Sequence, residues 1–477
     1  MTLFTPTQRS LRLQSSPLRE LLKYCERPGM LSMAGGLPAP ESFPVQALRA
    51  AADRVLRDTP TAALQYGPSE GLAGLRDWVA NHLRGAGMTV SADQVLITSG
   101  SQQGLDLVGK VLAEEGAPLA VEAPTYLGAL QAFSPYGPRF AEIACDADGP
   151  LPGDVADLAQ RAPGCRLAYL LPNFQNPTGR LIAEARRDQI VAAAARIGLP
   201  IVEDNPYGEL WYDAPPPAPL AARWPEGCVY LGSFSKVLAP GLRLGYVVAP
   251  PELHTRLLYA RQAADLHSSS LAQHIVLALL QQGMLGTQLD ALRARYRISR
   301  DAMQAALLRE LPPGCTWQAP QGGMFFWLTL PVGLDARALL APALRAGFAF
   351  VPGAEFFVGA AQAVSPDECS GSTKPSTTDP TVGSDGQGRL GIDPARTVRL
   401  SFVTLAPAQI DDAVHRLGQL LCQRLADAGG TSSTLLPMAE PQFEPSNERS
   451  IEQPRSQVVE TTAEVITQPL SATALAA

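Results

Sequence analysis

Lysine is nearly missing from this chain. Of 477 residues 38 are basic, yet only Lys23, Lys110, Lys236 and Lys374 are lysines. Arginine serves for ordinary surface charge, so each retained lysine asks for a reason. Long apolar runs are missing too. No stretch approaches the ~20 residues of a membrane-spanning helix, and residues 1–10 carry no run of signal-peptide type. The expectation is a soluble, cytoplasmic protein with no membrane partner. Seven cysteines, at 25, 145, 165, 228, 315, 369 and 422, form no Cys-x-x-Cys pair and no Cys/His cluster of metal spacing. They read as structural thiols in a reducing compartment, and no metal site is expected. A basic surplus is absent as well. The net charge of −7 argues against a general nucleic-acid binder, which needs a cationic face, but leaves room for a local pocket for a small anion. No Gly-x-Gly-x-x-Gly follows the first strand, which counts against a nicotinamide-binding enzyme.

What is present is a rhythm. Apolar segments at 95–98, 118–121, 167–171, 200–203, 228–231 and 244–249 alternate with helical stretches at 104–113, 184–197 and 251–263. Short buried strands alternating with helices imply an α/β fold, a mostly parallel sheet covered by helices on both faces. From about 289 the texture changes. A long arginine-rich helical region runs to 311, followed by a strand at 324–328, a helix at 336–345, a strand at 398–402 and a closing helix at 407–425 begun by Pro407. This second part reads as a smaller α+β domain. The expected organisation is an N-terminal segment (1–44) joining the small domain, a large domain (45–288) and a small domain (289–427). Residues 361–396 and 428–477 are polar and poor in apolar residues. They read as a flexible insertion and a disordered tail.

Chemistry gathers at the ends of the buried segments. Lys236 lies in Gly232-Ser-Phe-Ser-Lys-Val-Leu-Ala-Pro-Gly-Leu-Arg243, directly after a strand, where α/β sheets present ligands. A lone lysine is usually a solvated charge. Here Ser233 and Ser235 can donate to a phosphate and Arg243 can pair with it, while lysine, unlike arginine, can lose its proton and form a Schiff base. Thr98-Ser-Gly-Ser-Gln-Gln-Gly104 follows a strand and opens a helix, offering small residues, free N–H groups and a positive dipole end. It could equally be a plain connection. Asp204, in Val202-Glu-Asp-Asn-Pro-Tyr207, ends an apolar run and needs a cation or donors if buried. The alternative is a turn or capping aspartate before Pro206. Asn176 stands in Asn176-Pro-Thr-Gly179, a turn at another strand end.

These segments together resemble the fold-type I, class I/II pyridoxal-phosphate aminotransferases. Ser-Phe-Ser-Lys, Asn-Pro-Thr-Gly, Asp-x-x-Tyr and a late Arg-Leu-Ser-Phe stand in family order across residues 10–425. The resemblance implies pyridoxal 5′-phosphate as cofactor, held covalently by Lys236. It implies that Asp204 keeps the ring nitrogen protonated, that Tyr207 and Asn176 bond the ring oxygen, and that Tyr126 stacks on the ring. Ser101, Gln102, Ser233, Ser235 and Arg243 would hold the phosphate. Tyr66 would reach a phosphate across the interface of a homodimer, or pack as a buried aromatic near a turn. Arg399 would grip the substrate α-carboxylate, its planar fork suiting that group, or form a structural salt bridge.

The segment from Ser16 to Pro40, with Arg19 and Gly35-Gly36, resembles the 2-aminoadipate/kynurenine aminotransferase branch. It implies an L-amino acid donor, 2-aminoadipate first, and a 2-oxo acid acceptor, 2-oxoglutarate. Arg19 would meet the distal carboxylate, or be an ordinary helix surface charge, and Gly36 would let the chain pass close to substrate. A broad aromatic or branched-chain activity is the second expectation, and a β-lyase or decarboxylase reaction of the same cofactor the third. A regulator with this fold would need a DNA-binding domain ahead of Arg19, and the short stretch there is too little for one.

Overall fold

The computed structural model of the chain describes residues 3–13, 17–359 and 392–430, without the side chains of 17–19 and 428–430. Fourteen strands are described. They are β1 (Leu31–Ser32), β2 (Val95–Thr98), β3 (Pro118–Ala123), β4 (Arg139–Asp146), β5 (Gly149–Pro150), β6 (Ala168–Leu170), β7 (Ile201–Asn205), β8 (Cys228–Ser233), β9 (Gly245–Val248), β10 (Thr316–Trp317), β11 (Phe325–Thr329), β12 (Phe348–Ala349), β13 (Val351–Pro352) and β14 (Thr397–Ser401). Eight of them form one sheet in the order β2-β9-β8-β7-β6-β3-β4-β5. The pairs β8·β7, β7·β6, β6·β3 and β3·β4 are parallel. Their apolar runs are almost wholly buried, as helices on both faces require.

The sheet is mixed where a wholly parallel one would need a helical crossover. Between β8 and β9 lies only the stretch 234–244, too short for a crossover helix, so β9 returns antiparallel to β8 and β2 pairs antiparallel to β9. Two reversals restore direction, and β2 runs the same way as β8. The carboxyl ends of β2, β3, β6, β7 and β8 therefore open at one edge. β4, unread in the sequence because its face is half polar, pairs outside β3.

A four-stranded antiparallel sheet, β10-β11-β14-β13, forms the smaller part. Arg399 sits in its interior, opposite Trp327 on one side and Val351 on the other. The N-terminal segment packs here: β1 pairs with β12, and Ser401 donates its N–H to Met33 O at 2.7 Å. The helix expected from 289 runs from Met284 to Glu310. Its first turns bury Leu285 and Leu289 in the core beside the large sheet, while Met303 and Leu307 join the core shared with the small one. The change of texture at 289 thus falls inside a helix that belongs to both parts. The described residues up to Gly430 group as one unit. Of the expected insertion, residues 361–391 lie outside the described residues. Residues 392–396 are built in, with Arg396 donating to Leu330 O. The tail expected at 428–477 lies outside from residue 431, the closing helix Pro407–Gly430 reaching three residues into it.

Candidate active site

Five strand ends bring the site together. Lys236 follows β8 after a two-residue turn in which the Ser235 N–H donates to Ser233 Oγ at 3.1 Å. Its amine donates to Gly36 O at 2.8 Å. Burial, with Arg399 and Arg243 nearby, pulls the Lys236 amine down to about 8. Gly36 is required there, since a Cβ would lie 2.9 Å from the Phe325 ring.

Asp204, near the end of β7, is 2% exposed. Its Oδ2 accepts from Tyr169 Oη at 2.7 Å, and its Oδ1 has no partner among the described residues. Burial pushes its carboxyl up to about 7, against the opposing pull of Tyr169. Tyr207, three residues on, is buried, its phenol raised above its usual value by burial first and by Tyr126 next. The Asn176 amide and Arg399 act on that phenol in the other direction. Asn176 also accepts from Arg399 Nη1 at 2.7 Å, and Arg399 Nη2 donates to Ala34 O at 2.6 Å. The guanidinium lies 4.4 Å from the Phe325 ring centre and 4.9 Å from that of Phe356. Burial lowers Arg399 to about 10, and its Nε has no partner among the described residues. Among the described residues no carboxylate pairs with Arg399, as the structural salt-bridge alternative would require.

The loop carrying Asn176 is braced from behind. Glu122 at the end of β3 pairs with Arg180 at 2.9 Å and accepts the Leu171 N–H at 2.8 Å. Gln175 donates to Pro124 O at 3.0 Å.

A second cluster forms where β2 meets the helix Ser101–Leu112. Gly100, with φ +86°, turns the chain, and a Cβ there would lie 2.6 Å from Arg243 Nη2. Arg243 donates to Ser99 O at 3.1 Å. The N–H groups of Ser101 and Gln102 stand in the first helical turn, where no helical acceptor exists. The Gln102 side chain is engaged elsewhere, donating to Gly128 O at 2.8 Å. That leaves its main chain as the group available to a phosphate. Ser101 and Arg243 are not fully buried.

Tyr66 is 78% exposed, with its ring edge-on to His267 at 5.8 Å. The buried-aromatic alternative is therefore wrong, because the loop at 65–68 lies on the surface of the single chain. Arg19 falls in the helix Pro17–Cys25, its side chain outside the described residues. Sequence reasoning missed Tyr169 and the carbonyls of Ala34 and Gly36. A tyrosine inside a fully buried strand was the available signal, because a buried hydroxyl needs a partner. The carbonyls gave none.

The residues fit pyridoxal phosphate. A buried carboxylate with one bare oxygen calls for a donor of positive charge, which a protonated ring nitrogen supplies. A partly deprotonated amine suits an aldehyde. The first turn at Ser101, with Arg243 alongside, suits a phosphate. Among the described residues no His/Cys/Asp/Glu group could hold a metal ion, and no helix is long and apolar enough to cross a membrane.

The family model for aminotransferase class I and II matches residues 33–357. The 2-aminoadipate transaminase of Thermus thermophilus is 43% identical over 87% of this chain and 96% of its own length. Aromatic-amino-acid aminotransferase 1 of Thermococcus litoralis is 41% identical over 74% of this chain and 86% of its own. Among solved structures, the α-aminoadipate aminotransferase of Thermus thermophilus, complexed with N-(5′-phosphopyridoxyl)-L-leucine, superposes with a TM-score of 0.76 at 41% identity. That match covers 88% of this chain and 98% of the other.

Proposed function

Since the chain belongs to the class I and II aminotransferases and its cofactor is pyridoxal 5′-phosphate, we propose that it moves the amino group of an acidic L-amino acid, 2-aminoadipate first, to 2-oxoglutarate. The observation that carries the reading is that the lowered Lys236 amine lies near Arg399, which no carboxylate of the described residues pairs, while the buried Asp204 keeps one oxygen unmet among them. The acidic donor is supported by the 43% identity to a 2-aminoadipate transaminase and by an arginine at position 19.

When bound, the cofactor supplies an electron-withdrawing ring that accepts the electron pair left when the substrate Cα–H bond breaks. Lys236 Nζ would hold the cofactor and, when free, would take the substrate Cα proton as a base and give it back as an acid. With its amine at about 8, about one side chain in ten is neutral at pH 7, enough to act as a base and still a competent acid. Asp204 Oδ1 would keep the ring nitrogen protonated, Tyr207 and Asn176 would bond the ring oxygen, and Tyr126 would stack on the ring. Arg399 and Asn176 fix the α-carboxylate and so the direction of the Cα–H bond. Gly36 lets the N-terminal segment close over the substrate. The Ser101 and Gln102 amides, Ser233, Ser235 and Arg243 anchor the phosphate, with Tyr66 of a second copy completing it. The enzyme is then a cytoplasmic homodimer. Residues 45–288 form the cofactor-binding domain, and 1–44 joins the small domain at 289–427.

The identity to an aromatic-amino-acid aminotransferase favours a second reading, a broad aromatic and branched-chain activity. Absorbance of the holoenzyme after mixing with single amino acids separates the two. Fast bleaching by 2-aminoadipate and glutamate is expected, and bleaching by aromatics alone overturns the acidic donor. Amino transfer to 2-oxoglutarate distinguishes both from a lyase.

A further inference from the structure

We propose that Tyr169 is a positioning residue of this aminotransferase, whose hydroxyl holds Asp204 as an oriented carboxylate and leaves Oδ1 as the oxygen for the cofactor's ring nitrogen. The inference rests on the role given to Asp204 above. Tyr169 stands on β6 opposite Val202 of β7. Asp204 follows Val202 by two residues, so the two share a face and Tyr169 reaches it diagonally. Both sit on central strands rather than loops. Both are buried, and Tyr169 Oη donates to Asp204 Oδ2 at 2.7 Å.

Packing alone does not account for the hydroxyl. The Tyr169 ring meets Phe133 edge-on at 5.9 Å, and phenylalanine would make that contact as well. A buried hydroxyl needs a partner, but a main-chain carbonyl would serve. Here it is spent on a carboxylate whose other oxygen is bare. The effect has a definite sign. Burial drives Asp204 toward its neutral form, and Tyr169 is the side chain acting on that carboxyl to favour the charged form. A neutral Asp204 would turn from acceptor to donor and could not hold a proton on the ring nitrogen. Tyr169 acts twice, then. It fixes the plane of the carboxyl group, and it stabilises the charge before any cation arrives.

Tyr169→Phe removes one oxygen and keeps the ring. Two readouts are needed, in wild type, Tyr169→Phe, Asp204→Asn and the double variant. One is the single-turnover rate of amino transfer from 2-aminoadipate in the holoenzyme. The other is an infrared pH titration of the apoprotein, following the carboxyl band that Asp204→Asn removes. In Tyr169→Phe the rate should fall about ten- to a hundredfold with KM little changed, as for loss of a hydrogen bond to a charged group. The carboxyl midpoint should rise by about one unit. Added to Asp204→Asn, the same change should cost much less. An unmoved midpoint, or an equal loss with and without the Asp204 carboxylate, overturns the proposal. If Asp204→Asn itself leaves rate and cofactor spectrum intact, the role of Asp204 fails instead. Should Tyr169→Phe not fold, 3-fluorotyrosine at 169, a stronger donor of the same shape, must lower the midpoint, and an unchanged value again overturns it.

Discussion

Removing Arg399 tests whether its fork is the grip for the substrate α-carboxylate. A guanidinium has five N–H donors. Two are engaged, to Asn176 Oδ1 at 2.7 Å and Ala34 O at 2.6 Å. Phe325 and Phe356 hold the plane. Three donors remain, enough for a bidentate carboxylate. Each hydrogen bond to a charged group is worth about 1.5–3 kcal/mol. Losing two should therefore lower kcat/KM for 2-aminoadipate by roughly 10²- to 10⁴-fold. The carboxylate persists from substrate to transition state, so most of the loss should appear in KM. Arg399→Ala also bares Asn176 Oδ1 and Ala34 O, at about 1–3 kcal/mol each, so the variant's melting must be followed first. Single-turnover absorbance with 2-aminoadipate measures the rate, and a titration with a dicarboxylate lacking the amine isolates binding. Arg399→Lys restores charge without the planar fork and should recover only part of the loss. A fall in kcat/KM of less than about tenfold, or an equal fall for an amine lacking the α-carboxylate, refutes the reasoning.

Three further outcomes are expected. Asp204→Asn should stabilise the apoprotein above neutral pH. The Asp204 carboxyl is raised from 3.8 to about 7, so in the wild type stability is lost as pH rises between those two values. The gain should approach about 4 kcal/mol at pH 8 or above and shrink toward pH 4. Chemical denaturation at two pH values measures it, and a pH-independent difference contradicts it. Gly100→Ala places a Cβ against the Arg243 guanidinium at a φ of +86°. It should weaken cofactor binding to the apoprotein by about tenfold or more, as read by fluorescence titration, and unchanged affinity removes Arg243 from the phosphate site. Lys236→Ala should abolish amino transfer, and Tyr66→Phe should weaken cofactor retention. Under limiting cofactor and subunit exchange, a mixture of the two should regain about a quarter of wild-type activity, because each mixed dimer has one intact site. No recovery argues that Tyr66 serves its own subunit or none.

How much was legible beforehand depended on the range of each interaction. Strand ends announce themselves locally, through an apolar run stopped by a turn residue. That is why Lys236, Asp204 and Asn176 could be placed at one edge before any coordinates. Two of the four small-sheet strands were read to within a residue, at 324–328 against Phe325–Thr329 and at 398–402 against Thr397–Ser401, while Thr316–Trp317 and Val351–Pro352, two residues each, were too short to read. The direction of β9 was not read, because an apolar segment looks alike running either way and only the length of 234–244 decides it. The Ala34 and Gly36 carbonyls were invisible for another reason. Their partners lie 365 and 200 residues away, and every residue has a carbonyl, so composition marks none as special. Tyr169 stood between these cases. Its burial was readable but its partner was not, since strand pairing had to be known first.

One cause underlies the site's electrostatics, and it explains why the reactants must be anions. Burial lowers Lys236, lowers Arg399 and raises Asp204. Each shift says that the charged form waits for a counter-charge the chain itself does not provide. Two further cations, Arg399 and Arg243, act on the Lys236 amine. For the present the chain's own carbonyls soften the surplus, Gly36 O on Lys236 and Ala34 O on Arg399. A carbonyl dipole is a weaker partner than a full negative charge. An α-carboxylate would therefore meet, on the three donors Arg399 has left, a guanidinium that is already buried. The carbonyls of residues 34 and 36 thus brace the same two cations, Lys236 and Arg399, that the proposed cofactor and substrate would use.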